Sequence, residues 1–149
     1  MRYGIWFEPI MGEPDPKEIP FSHLMADRRI ILPTSKTSNP ILEGKKITTS
    51  FQSNEVYLLI PGRKFDLHGT RHGKGYGWFD RFLSIVPPEW IRIGVCHARQ
   101  INKTPLTRAT WDQLVDWVIV QNDEAWSAHE TVARTLNRRT HTNHPPDQQ

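Results

Sequence analysis

The sequence predicts an α/β fold in three layers (αβα), with helices on the faces of a mostly parallel, open sheet. Two observations carry this. Five short apolar runs, at about 3–7, 29–32, 56–60, 92–96 and 117–120, have the length and composition of strands. Helix-like segments, at about 16–27, 77–86 and 124–139, alternate with them. Such alternation marks parallel strands joined by crossovers rather than a meander. At 149 residues the chain can bury a sizeable core, so one α/β domain over 1–139 is expected, with a disordered tail over 140–149.

The first run is short and is stopped by Glu8 and Pro9, which excludes a secretory signal. Asp15 followed by Pro16 reads as a helix start, although Pro20 lies deep for a helix running to Asp27. Residues 33–54 are rich in Pro, Ser, Thr and Asn and read as a loop or irregular hairpin, with Lys45–Thr49 the only strand candidate. The run 55–60 is strand-like and ends in Pro61-Gly62. Trp78, Phe79, Phe82, Leu83 and Val86 then recur at helical spacing. Ile91–Cys96 is a core strand, and its cysteine reads as a small buried hydrophobe. The last helix is expected to start at Asp123, with Ala125, Ala128, Val132 and Leu136 on one face and Arg134, Arg138 and Arg139 near its C-terminus. In the tail, His141 and His144 have metal-like spacing but no companion ligands nearby in sequence.

No run of about 18 apolar residues exists, so no membrane-spanning helix and no membrane partner are expected. The single cysteine cannot form an internal disulfide, which suits a reducing, cytoplasmic location. A net charge of +3 is modest for this size, and no arginine-rich helix is present, so nucleic acid is not the expected partner.

The most distinctive stretch is Gly69-Thr-Arg-His-Gly-Lys-Gly-Tyr-Gly-Trp-Phe-Asp80-Arg81, which holds four of the nine glycines. Glycine lets the backbone approach another molecule closely, and backbone N–H groups with Arg71 and Lys74 make a cradle for an anion such as phosphate. The segment 63–81 carries five Lys/Arg against Asp66 and Asp80, an excess equal to the charge of the whole chain. Arg71 and Lys74 read as exposed loop cations that contribute little to the fold.

Together with Leu58-Leu-Ile-Pro-Gly-Arg-Lys-Phe-Asp66, this block resembles the motif of the 5-formyltetrahydrofolate cyclo-ligase family. Phe7-Glu-Pro-Ile-Met-Gly-Glu13-Pro-Asp15 is similar to that family's first strand and loop, Arg28-Arg-Ile-Ile-Leu-Pro33 to its second strand, and Pro105 with Trp111-Asp112-Gln-Leu-Val-Asp116 to a downstream motif. The likeness runs from about Gly4 to Val120. It begins at the first strand, without the family's N-terminal helix and its phosphate-contacting cations, and it lacks part of the middle hairpin.

The resemblance implies an ATP- and Mg²⁺-dependent ring closure. The formyl oxygen of 5-formyltetrahydrofolate is phosphorylated, the neighbouring nitrogen attacks, and phosphate leaves to give 5,10-methenyltetrahydrofolate. It implies catalytic roles for Arg71 and Lys74, and a nucleotide site formed by Arg71, His72, Gly73, Lys74, Gly75, Tyr76, Gly77, Trp78 and Phe79. Glu13, Lys74 and Trp78 fall at substrate positions, and Asp80 and Asp112 at metal positions. Asp80 equally suits the first turn of a helix, where the dipole favours an acid, and Trp78 and Phe79 equally suit a core. The family's Tyr-Tyr pair is Trp78-Phe79 here, its loop Leu is His72, and its His is Trp111. Three function classes follow: a cyclo-ligase, a catalytically impaired folate- or nucleotide-binding relative, and a basic nucleic-acid-binding domain. The first would act on a small-molecule folate as a monomer or homodimer.

Overall fold

The computed structural model describes residues 2–10, 12–21, 28–32, 38–51, 55–73 and 77–136. In chain order its strands are β1 (Arg2–Trp6), β2 (Arg28–Ile31), β3 (Glu55–Ile60), β4 (Lys64–Phe65), β5 (Arg71–His72), β6 (Ile91–His97), β7 (Trp117–Asn122) and β8 (Ala125–Glu130). Its α-helices are α1 (Pro40–Phe51), α2 (Trp78–Leu83) and α3 (Val132–Thr135). Six strands form one sheet in the order β2-β1-β3-β6-β7-β8, and β4-β5 make a separate two-stranded hairpin. The first five strands of that order pair in parallel; only β8 runs antiparallel to its neighbour β7. The five predicted strands all form, and the chain has the mostly parallel α/β fold that their alternation with helices requires.

The central strands are apolar because both of their faces are covered. Leu58, Leu59, Ile60, Val95, Val118 and Ile119 are all buried. Helix α1 joins this core through Ile47, and Phe51 meets Tyr3 of β1 with ring centroids 4.4 Å apart. Against α2 the approach of α1 is close enough that a β-carbon on Gly44 would lie 3.1 Å from the Ile85 side chain.

Three expected elements are corrected. Residues 40–51 form a helix rather than a loop or hairpin, and Lys45–Thr49 lies inside it. Its start was legible as Asn39-Pro40: the Asn39 side chain accepts from Ile41 and Leu42 N–H at 3.0 and 3.2 Å, and proline opens the first turn. The Ser/Thr-rich composition misleads because Thr48 and Ser50 hydroxyls donate back to the Gly44 and Lys46 carbonyls, satisfying themselves within the helix.

The helix expected over 124–139 is instead strand β8 and the short α3. Asp123 is not an N-cap; with φ of 56° it sits in the tight turn that reverses β7 into β8. As an edge strand β8 shows no one-sided apolar face, so its alanines mimicked a helical stripe. Thr131 caps α3, accepting from Arg134 N–H at 3.2 Å. The start of the helix expected over 16–27 is a 3-10 turn at Pro16–Glu18, with Asp15 accepting from Lys17 N–H at 3.0 Å and Ile19 already extended; residues 22–27 lie outside the described residues. The tail, Arg138 and Arg139, and the two tail histidines lie outside the described residues.

The hairpin β4-β5 folds over the C-terminal end of β6. Phe65 is fully buried on Gly94, where a β-carbon would fall 2.3 Å from its ring. Asn102 N–H donates to the Phe65 carbonyl at 2.7 Å, and the Gln100 amide donates to the Gly62 and Arg63 carbonyls at 2.9 and 3.2 Å. In β6 itself Arg92 is a buried arginine. It donates through Nη1 to Gln113 Oε1 and through Nη2 to the Leu83 carbonyl, both at 2.9 Å.

Candidate active site at the switch point of the sheet

From β1 the chain steps to β2 on one side, while from β3 it builds the sheet in the opposite direction. Connections leaving β1 and β3 therefore part at their C-terminal ends, and ligands of open parallel sheets bind in the crevice this creates. Glu13 follows β1, Arg71 follows β3, Asp80 lies in the first turn of α2, and Asp112 lies on the loop between β6 and β7. Four separate segments thus deliver one cation and three acids to one region.

Arg71 is at the centre. It is only 6 % exposed; its Nε donates to the Pro61 carbonyl at 2.6 Å, and its guanidinium lies 5.0 Å from the centre of the Phe79 ring. Both terminal nitrogens lie against Gly73, at 3.0 and 3.1 Å from where a β-carbon would stand. Among the described residues these two groups donate no hydrogen bond. Burial lowers the pKa of Arg71, against which Asp80, Glu13 and Asp112 pull it upward in that order. The acids are therefore close enough to share its field, and the guanidinium remains charged.

Each acid is held in place. Glu13 Oε1 accepts from Ile10 N–H at 2.9 Å, closing a turn with the Glu13 N–H to Ile10 carbonyl bond of 3.0 Å. Asp80 Oδ1 accepts from Gln113 N–H at 3.1 Å, and Asp112 Oδ2 from Ala109 N–H at 2.8 Å. Burial raises the pKa of Asp80; the Arg71 charge and the Gln113 N–H oppose the rise, and Asp112 adds to it. Among the described residues no three or more His, Cys, Asp or Glu side chains are arranged to hold a metal ion. Two carboxylates, Asp80 and Asp112, lie within electrostatic reach of one another.

The remaining expected residues divide. His72 Nε2 contacts the Thr107 carbonyl at 2.7 Å and ties the hairpin to the 105–113 loop. Gly73 makes room for the Arg71 guanidinium. Gly77 takes the left-handed conformation, φ 66°, at the start of α2, a position where a side chain is strained. Trp78 and Phe79 are both buried: Trp78 stacks on Phe82 at 5.3 Å and donates Nε1 to Ser38 Oγ at 3.0 Å. Lys74, Gly75 and Tyr76 lie outside the described residues. Arg71 is not the exposed loop cation of the sequence reading, because the hairpin turns its side chain inward with Phe65.

Sequence reasoning missed the residues that hold this arrangement. Buried Asp66 organises the hairpin turn, accepting from His68 and Thr70 N–H at 3.0 Å each and from Leu106 N–H at 2.8 Å. An Asp three residues before a Gly was the available signal for such a turn. Arg108 donates through Nε and Nη2 to Thr70 Oγ1 at 3.1 and 2.8 Å. Gln113 links Arg92 to Asp80, with its side chain on the first and its backbone N–H on the second. Nothing in the spacing of these residues announces the link.

Fold and site together define an α/β protein with a cluster of one buried arginine and three acids at the sheet's switch point. No protein-family model matches the chain. Its sequence is 28% identical over 120 residues to the 5-formyltetrahydrofolate cyclo-ligase of Mycoplasma pneumoniae, an alignment spanning 79% of this chain and 71% of that protein. Its fold is similar to the NMR structure of Aquifex aeolicus 5,10-methenyltetrahydrofolate synthetase, with a TM-score of 0.55 and 22% identity over 87% of this chain and 71% of that one. The chain resembles the 5-formyltetrahydrofolate cyclo-ligase family in sequence and in fold.

Proposed function

We propose that this protein is a ligase that converts 5-formyltetrahydrofolate to 5,10-methenyltetrahydrofolate with ATP and Mg²⁺. The observation that carries the reading is the buried Arg71, whose terminal nitrogens point past Gly73 within the field of Glu13, Asp80 and Asp112. It is supported by the likeness to the Mycoplasma pneumoniae cyclo-ligase. Phosphoryl transfer depends on positioning and on charge neutralisation more than on covalent help. A guanidinium already desolvated, with two free amino groups, binds phosphate oxygens without reorganising. Lys74, next along the loop, supplies a second cation for the same phosphates.

Asp80 and Asp112 fit Mg²⁺, which takes one or two carboxylates and completes its shell with water and phosphate oxygens. Burial makes Asp80 costly to keep ionised, and a cation beside it removes that cost. When bound, Mg²⁺ supplies neutralisation of phosphate charge. Glu13 comes from the opposite side of the crevice, after β1, and is the acid for the folate ring. Trp78 and Phe79 are both buried, and the Phe79 ring beneath the Arg71 guanidinium supports a role for it in holding that cation.

One observation favours a second reading. Where the family carries paired phenols, this chain has two rings without hydroxyls, both packed in the core, and a relative that binds folate or nucleotide without turnover would show that pattern. Absorbance of the methenyl product, followed with purified protein, ATP, Mg²⁺ and 5-formyltetrahydrofolate beside calorimetric titration of each ligand, separates the two. Turnover above the protein-free rate is expected. Binding without turnover selects the second reading, and neither binding nor turnover removes both.

A further inference from the structure

Trp111 stands apart from the other tryptophans. It is 47% exposed, whereas Trp6, Trp78 and Trp90 are buried and Trp117 and Trp126 pack against the core. Among the described residues its ring meets no other aromatic ring and its Nε1 has no acceptor. An exposed indole on a slack loop would need no explanation, but this loop is tightly fixed. Leu106 N–H is bound by Asp66, the Thr107 carbonyl by His72, and the Arg108 guanidinium by Thr70. Ala109 and Asp112 close a turn around Thr110 and Trp111: Asp112 N–H donates to the Ala109 carbonyl at 3.1 Å, and Ala109 N–H to Asp112 Oδ2 at 2.8 Å. Gln113 N–H then locks onto Asp80. The indole is thus presented to solvent from a rigid mount, one residue from an acid of the site.

We infer that Trp111 is a stacking platform for the flat pyrimidinone half of the reduced pteridine, and so a specificity-determining residue of this site. The inference rests on the cyclo-ligase reading. A large aromatic face, fixed before binding and open to water, suits a planar heterocycle because little conformational freedom is lost on contact. The choice of ring follows from reaction geometry. Phosphates meet the substrate's formyl oxygen at Arg71, Asp80 and Asp112, so the ring nearest these acids is the pteridine that bears the formyl group. The purine lies at the far end of the triphosphate.

Calorimetric titration of the native protein, Trp111→Phe and Trp111→Ala with 5-formyltetrahydrofolate, and separately with ATP and Mg²⁺, tests this. Trp111→Ala is expected to bind folate about tenfold more weakly, in line with the loss of one base-sized stacking contact. Trp111→Phe keeps a ring and stays within about threefold of the native protein. ATP affinity and thermal midpoint are unchanged in both variants. Unaltered folate affinity in Trp111→Ala overturns the inference, and a loss confined to ATP reassigns the platform to the purine and overturns it too. If the native protein itself binds no folate, the cyclo-ligase reading fails and takes the stacking with it. Folate binding that ignores the substitution removes the stacking alone.

Discussion

Two buried arginines, Arg92 and Arg71, differ in what they face. Arg92 lies near the start of β6 and gives both terminal nitrogens to neutral protein acceptors, Gln113 Oε1 and the Leu83 carbonyl. Arg71 lies at the working end itself, anchored by Nε alone, with its terminal nitrogens toward Gly73 and three acids in its field. Burying a charge without satisfying it is costly, so a protein retains such a group only where something completes it. Both terminal nitrogens of Arg92 are met by the fold. The terminal nitrogens of Arg71 donate to no protein acceptor among the described residues, which leaves them available for the phosphate oxygens of the proposed reaction.

The comparison is broken most directly at Arg92. Arg92→Ala is expected to destabilise the protein by about 3–5 kcal/mol in urea unfolding, since it removes a buried charge and leaves Gln113 and a helix carbonyl without their donor. A loss under about 0.5 kcal/mol would show that Arg92 is not structural. The hairpin that delivers Arg71 is tested at Gly94. Gly94→Ala forces a methyl into the Phe65 ring and should cost about 2 kcal/mol, with activity falling as the hairpin shifts.

Arg71→Lys should separate the two roles. Losing the Nε bond to Pro61 costs about 1 kcal/mol, whereas product formation should fall on the order of 10²-fold, because a point charge cannot replace the forked donor. Comparable small losses in both would place Arg71 with Arg92.

The smallest effect on stability concerns Asp80. Its folded pKa is raised by burial, so the folded state binds this proton more tightly than the unfolded state does. The resulting cost is absent below the ordinary carboxyl value of 3.8 and fully present once pH exceeds the raised value. Asp80→Asn is therefore expected to unfold at a slightly higher temperature than the native protein at pH 7, with the advantage disappearing as pH falls below that range. Activity would be lost. A variant less stable than the native protein at pH 7 would show that the Arg71 attraction outweighs the burial cost.

Much of this was legible in the residues. The apolar runs gave the strands, since burial on both faces of a parallel sheet leaves a continuous hydrophobic signature. Gly77 takes positive φ, at 66°, the backbone freedom for which glycine suits a loop that feeds a helix. Less legible was the region 40–51, where hydroxyl side chains that bond to their own helix imitate a loop, and β8, where an edge strand has no buried face to impose alternation.

The sequence by itself determined the α/β architecture, the location of the basic glycine block and the residue types of the site, because burial and backbone freedom leave local marks. Only the tertiary structure decided which side chains meet at the candidate site. Register in a two-residue-wide hairpin turns Arg71 inward with Phe65 and His72 outward with Lys64. The strand order brings the segments after β1 and β3 to one crevice. Gln113 reaches Asp80 and Arg92 across 33 and 21 residues of chain. Such contacts depend on the order in which strands pair, a choice set by the packing of the whole core and by no short stretch of residues.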